Sequence, residues 1–284
     1  MSIQKIFVPL QKDDLLLPKL DYALVLAKRL DASIEIGFIH GGSDPETIEV
    51  NFTGGDVSKG FALNAEAGDQ AGVDAARRGL SEWITALGIS SDEKHSNIMM
   101  REYWNGVDDV IIKVGRLSDL ILTGPCKSGS IISTDPVSRV SLLASARLIL
   151  GVGDVQVEPT HLLDRVVIAW DGSAGATRTL AQALPILSVA NKVNFVSIDS
   201  SPISGPSASD LVDYLNVHRI QAHADSHPKD SYTTAGALLK YLSREEATLL
   251  IMGTYDHNRT GELIFGGTTV EVLERITIPV LMSY

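Results

Sequence analysis

The stretch Met252-Gly253-Thr254-Tyr255-Asp256-His257-Asn258-Arg259-Thr260-Gly261-Glu262-Leu263-Ile264-Phe265-Gly266-Gly267-Thr268-Thr269 joins two segments of opposite character. Before it, Ala247-Thr248-Leu249-Leu250-Ile251 is an apolar run that reads as a buried parallel strand. After it, Val270-Glu271-Val272-Leu273-Glu274-Arg275 reads as a helix. A strand, a glycine-bearing loop and a helix start therefore follow one another. Backbone N–H groups at a helix N-terminus lack partners and sit at the positive end of the dipole, so this order suits a phosphate group. The same spacing fits a tight strand-to-helix loop with a hydroxyl cap, because glycine pairs before helices are common.

Working outward, the same kind of alternation fills the chain and repeats. The first half reads as strand Ile3–Leu10, helix Pro18–Leu30, strand Ala32–Ile39, helix Val73–Leu87 and strand Ser96–Arg101. Helix Val107–Leu117, strand Leu120–Thr123, helix Val137–Ala146 and strand Leu148–Val152 complete it. The second half reads as strand Arg165–Trp170, helix Thr177–Leu187, strand Val193–Ile198, strand Ile220–Ala224 and helix Thr233–Glu245. Strand Thr248–Met252, helix Thr268–Arg275 and strand Pro279–Met282 close it. Alternating strands and helices imply parallel sheets with helices on both faces, since right-handed crossovers place them there. Gly153–His161 is polar, carries Pro159 and reads as the linker, giving domains 1–153 and 162–284. Gly41–Gly72 and Ser200–Ser209 read as irregular; each follows the second strand of its half.

Composition narrows the partners. Of 284 residues, 44% are hydrophobic and 21% charged, which suits a globular fold of one large or two ordinary domains. A net charge of −11 argues against nucleic acid and against an anionic membrane surface, both of which need basic residues. A small phosphorylated ligand is compatible with it, because a helix end opposes the global field locally. The single cysteine, Cys126, permits no intrachain disulfide and fits a reducing compartment. Met1–Leu10 runs straight into a strand, without the apolar core of a signal peptide, and no apolar run approaches the ~18 residues of a membrane span. A cytoplasmic protein is the expectation.

The second half resembles a universal stress protein domain. That family carries a glycine, two residues, a second glycine, nine residues, then Gly and Ser or Thr after its fourth strand. Here Gly253, Asp256, Gly266 and Gly267 occupy those positions. Asp171-Gly172-Ser173 resembles the family's first-strand signature, and Ile278-Pro279-Val280-Leu281-Met282 its final strand. The resemblance implies two tandem Rossmann-like domains of the adenine nucleotide α-hydrolase type. Each would have a five-stranded parallel sheet of order 3-2-1-4-5. It also implies ATP, ADP or AMP as ligand, with magnesium as a companion ion.

Two departures stand out. Asp256 replaces the second glycine and sets a carboxylate near the phosphates unless Arg259 or a metal offsets it. Gly267 replaces the hydroxyl residue, a loss that Thr268 or Thr269 makes good. The first half matches less well. Pro9-Leu10-Gln11-Lys12-Asp13 stands in place of Asp-Gly-Ser, Gly124 alone keeps register, and Thr134-Asp135-Pro136-Val137-Ser138 replaces Gly-Gly-x-Thr. Proline lacks the N–H a phosphate cradle uses, so no cofactor is expected there.

The implied nucleotide contacts are Ala169, Trp170, Asp171, Ile198, Met252, Gly253, Asp256, Arg259, Gly266, Gly267, Thr268 and Thr269. Each has a plainer reading. Asp171 suits a helix cap, Trp170 suits packing as well as stacking on a base, and Ile198 suits the core. His218, His223, His227 and Asp225 make no tetrahedral set, with His218 and His223 on opposite sides of one strand. No nucleophile with a positioned base is evident, so at most weak ATP hydrolysis is expected, and no catalytic residue. The alternative function is an interaction or scaffold module with both nucleotide sites lost. Last strands Leu148–Val152 and Pro279–Met282 are apolar sheet edges without a guarding lysine, and are expected to pair antiparallel. A homodimer would then use another face.

Overall fold

The structure, a computed structural model, describes residues 2–11, 16–40, 48–51, 70–86, 97–124, 136–152, 155–199, 205–254 and 267–284. The first half contains β1 Lys5–Leu10, α1 Leu16–Leu30, β2 Ser33–Ile39, β3 Ile48–Asn51, α2 Gln70–Ala86 and β4 Ile98–Tyr103. It continues with α3 Val107–Lys113, β5 Leu120–Thr123, α4 Pro136–Ala144 and β6 Leu148–Gly151. The second contains β7 Val166–Ala169, α5 Ala174–Leu187, β8 Val193–Asp199, α6 Ala208–Val217 and β9 His223–Pro228. After these come α7 Thr234–Arg244, β10 Leu249–Gly253, α8 Gly267–Arg275 and β11 Val280–Ser283.

The strands form one 11-stranded sheet in the order β3-β4-β2-β1-β5-β6-β11-β10-β7-β8-β9. Setting β3 aside, each half contributes five parallel strands in the expected order 3-2-1-4-5. The last strands meet antiparallel, with Gly151 opposite Val280, Leu150 opposite Leu281 and Ile149 opposite Met282. This is the edge pairing the apolar strands called for, and it corrects the picture of two separate sheets. Once both edges are hydrogen-bonded to each other, the two parallel sets are continuous.

Both cores also run through both halves. On one face α1, α2, α5 and α6 cover a cluster that includes Leu20, Leu26, Trp83, Leu150, Leu180, Leu215 and Leu281. On the other, α3, α4, α7 and α8 cover Phe7, Ile111, Ile149, Leu238, Val272 and Met282. The linker is bound down rather than loose. Gln156 N–H donates to the Thr277 carbonyl at 2.8 Å, the Tyr22 hydroxyl of α1 donates to the Val157 carbonyl, and Leu162 and Leu163 are buried.

Four readings need correction. Within the stretch taken as irregular, Ile48–Asn51 adds a strand antiparallel to β4, and α2 begins at Gln70. Within and beyond Ser200–Ser209, Ser207 and Asp210 form a reciprocal cap that starts α6, a helix not anticipated. The third strand of the second half is not Ile220–Ala224 but His223–Pro228. His218 consequently ends α6 and does not share a strand with His223. Finally, α5 begins at Ala174, three residues early, because the Ser173 hydroxyl accepts the Ala176 N–H at 3.1 Å. Among the described residues no helix is long and apolar enough to cross a membrane, and no group of three or more His, Cys, Asp or Glu side chains could hold a metal.

Candidate functional site

The first and fourth strands of the second half, β7 and β10, are neighbours, and their C-terminal ends form the switch point where open α/β sheets bind ligands. Beyond β7, Trp170 N–H still bonds the Val196 carbonyl at 2.9 Å, so the chain leaves the sheet at Asp171. The Asp171 carboxylate accepts the Ser173 N–H at 2.9 Å, and Gly172 takes φ 78°, a conformation open to glycine at little cost. Capping of α5 therefore falls to Ser173. Asp171 braces the turn from outside and stays exposed at the sheet edge.

Trp170 does not flank that edge. Its ring is buried in the core with α5 and α6, and its indole N–H donates to the Pro206 carbonyl at 3.0 Å. Stacking on a base is thus replaced by packing. Ala169 and Ile198 are half-buried against the opposite core. At the end of β10, Met252 is buried. Gly253 has a structural reason of its own: a Cβ there would meet Ala176 N at 2.5 Å and Ala176 Cα at 2.9 Å. The first glycine of the motif lets β10 press against the first turn of α5.

Thr254 follows, fully buried, and donates to the Ser283 carbonyl at 2.7 Å, while the Ser283 hydroxyl meets Thr179 at 2.9 Å. These three hydroxyls anchor the point from which the glycine loop departs. Sequence reading missed them, since Thr and Ser next to apolar strands carry no distinctive pattern. Asp256, Arg259 and Gly266 lie outside the described residues, as does Cys126.

Gly267 opens α8. Among the described residues nothing lies within 4 Å of a Cβ added there, so packing against them does not require this glycine. Thr268 beside it is exposed, whereas Thr269 is buried. Of the two threonines offered as replacements for the missing hydroxyl, Thr268 is the one facing outward. An exposed carboxylate at the end of β7, a Gly267 free of contact with the other described residues and the N–H groups of a helix start suit a ribose and phosphates.

The first half supplies a control. Its strand ends superimpose by hydrogen bonding: Lys5 N–H bonds Asp119 as Arg165 N–H bonds Thr248. Counting from there, Gln11 stands at the place of Asp171 and Gly124 at that of Gly253. Helix α4 opens on Pro136, which has no N–H to offer. The buried Thr123 hydroxyl has no hydrogen-bond partner among the described residues. Farther along this edge, buried Glu102 accepts Arg77 at 2.7 Å and lies 3.3 Å from His40, on which Trp104 stacks at 3.9 Å.

Comparison with solved structures finds the same fold over the full length. A universal stress protein from Archaeoglobus fulgidus DSM 4304 matches with a TM-score of 0.68 at 17% identity, covering 99% of this chain and 96% of its own. A putative universal stress protein from Pseudomonas aeruginosa UCBPP-PA14 matches with a TM-score of 0.59 at 14% identity, covering 99% and 93%. A functionally unknown protein from Pseudomonas aeruginosa PAO1 matches with a TM-score of 0.57 at 13% identity, covering 99% and 92%. The chain thus shares, over 99% of its length, the α/β fold of these universal stress protein structures. No protein-family model and no curated protein matches the sequence.

Proposed function

We propose that this chain is a cytoplasmic tandem universal stress protein that binds an adenine nucleotide, with its magnesium, at the switch point of its second half and turns it over poorly. Its units would be 1–153 and 162–284. The observation that carries the reading is the asymmetry between equivalent positions. Exposed Asp171 and a Gly267 that no described residue crowds mark the second half, and Gln11 and Pro136 mark the first. A glycine that packing against the described residues does not require is expected where a ligand approaches the backbone. The site would hold ribose at Asp171 and phosphates at Gly267 and Thr268.

The test is twofold. Purified protein is denatured and its released small molecules identified, and labelled ATP is titrated against parent and Asp171→Ala protein. We expect adenine nucleotide in the supernatant and roughly tenfold weaker binding in the variant, the loss of a charge-assisted hydrogen bond. Absence of both bound nucleotide and ATP binding in the parent would leave the scaffold reading in its place.

A further inference from the structure

Residues Gly205-Pro206-Ser207 are fixed onto the sheet edge beside Asp171 by three unrelated contacts. Gly205 lies so close to the Asp-Gly-Ser turn that a Cβ would meet the Gly172 oxygen at 2.5 Å, a backbone atom that cannot swing away. The Pro206 carbonyl accepts the Trp170 indole N–H at 3.0 Å, and the indole is itself held in the core at 4% exposure. Ser207 begins α6, its N–H donating to Asp210 at 2.7 Å and its hydroxyl accepting the Asp210 N–H at 3.3 Å. The segment is thus tied to the turn, to the sheet core and to a helix.

Its placement follows from topology. β7 lies between β10 and β8. The glycine loop leaves from β10, and Gly205–Ser207 belongs to the connection that leaves β8. The Asp171 turn therefore separates the two. A nucleotide with its phosphates toward Gly267 must lay its ribose and base on the β8 side, against Gly205–Ser207. We propose that this segment is the wall of the base and ribose subsite, and that Trp170 is a positioning residue that sets the wall's distance from Asp171 through Pro206. The inference rests on the nucleotide reading above. It assigns Trp170 a role without contact to the base.

The test compares ATP with inorganic tripolyphosphate, which has no base or ribose, on the full chain. Trp170→Phe should weaken ATP roughly fivefold, as the loss of one buried hydrogen bond warrants, and leave tripolyphosphate affinity unchanged. Gly205→Ala, which forces the wall off Gly172, should do the same. Fluorine NMR of the parent labelled with fluorotryptophan provides a readout free of any mutation. There are three tryptophans, assigned by single Phe replacements, and ATP should move the Trp170 signal while tripolyphosphate does not. If the parent binds neither ligand, the nucleotide reading itself fails. If the parent binds ATP and both variants match it, or both ligands weaken equally, or the Trp170 signal stays still, the wall is wrong. Should Trp170→Phe lose its fold, Gly205→Ala and the parent's NMR titration still decide.

Discussion

The two halves share a strand order and differ in what they do with its C-terminal edge. In the first, charge is drawn inward: Glu102 is buried with Arg77 and His40, and α4 starts on a proline. In the second, the corresponding place on β9 holds Ser226, the carboxylate stands outside at Asp171, and α8 starts on a glycine that no described side chain crowds. The lesson is that a sheet and its two helical layers set where a site can be. A few side chains at the strand ends, the helix facing them and the helix starts decide whether that edge is filled by an internal ion pair or carries an exposed carboxylate.

The contrast is broken most directly at Glu102. Burial raises its pKa, yet hydrogen bonds and charge from His40 and Arg77 outweigh that and hold the carboxyl below its usual range. Glu102→Gln takes from a largely buried guanidinium its nearer counter-charge, Asp74 lying farther off at 3.5 Å, and should cost about 3 kcal/mol in urea unfolding, with ATP binding unchanged. A folded pKa below the unfolded one means the stabilisation is present above the ordinary carboxylate pKa and is lost as pH falls through the folded value. The parent should therefore lose this contribution in acid, and the Gln variant should show a flatter acid limb. A Gln variant as stable as the parent would show that the first-half edge is not held by charge.

Gly266→Asp reverses the experiment. A side chain and a negative charge at the glycine loop should weaken ATP at least a hundredfold, close to 3 kcal/mol, while melting changes little. Undiminished binding would move the site elsewhere, the first half included. Next in size is Leu281→Lys, at the seam where the halves meet. Leu281 is fully buried opposite Leu150, and its loss should cost on the order of 1–3 kcal/mol and open the linker to protease. Parent-like melting and proteolysis would mean the halves do not depend on that edge.

The smallest effect is expected at Tyr22, which ties α1 to the linker. Burial, with Glu158 adding to it, pushes its pKa up to about 12. Stability from this group is complete below the ordinary value near 10 and is lost as pH rises through the folded value. Tyr22→Phe should cost about 1 kcal/mol at neutral pH and lessen the alkaline loss. An unchanged alkaline limb would detach the linker from the comparison.

Much of this was legible in the sequence, for identifiable reasons. Runs such as Leu120–Thr123 and Leu148–Gly151 are buried on both faces, so their apolar character is uninterrupted and their bounds are plain. β9 was displaced because its residues, His223-Ala224-Asp225-Ser226-His227-Pro228, are mostly exposed and polar, while the nearby Ile220 is buried outside any strand. α6 buries little more than Leu211 and Leu215 and follows a run of Ser and Pro, so its period was faint. At the site, Gly253 was read as a phosphate glycine. The structure adds a packing role beside that reading, since a Cβ would meet Ala176 N at 2.5 Å, and a glycine needed for such packing looks identical in sequence. Trp170 was left between packing and stacking for a related reason: the direction in which an indole turns at a strand end depends on distant residues such as Leu211 and Pro206.

The antiparallel seam between β6 and β11 has a consequence for the order in which the molecule is made. Leu150 and Leu281 lie roughly 130 positions apart in the chain, so their pairing is among the least local contacts and closes late. During synthesis the first half appears with its last strand, Leu148-Ile149-Leu150-Gly151, finished and apolar, while its partner does not yet exist. Until the final strand leaves the ribosome, that edge is a template for any other nascent copy, and misjoined chains are the characteristic hazard of such an arrangement. β11 is thus also a safeguard, and a chain cut short before Val280 would be expected to aggregate rather than to persist as a stable half.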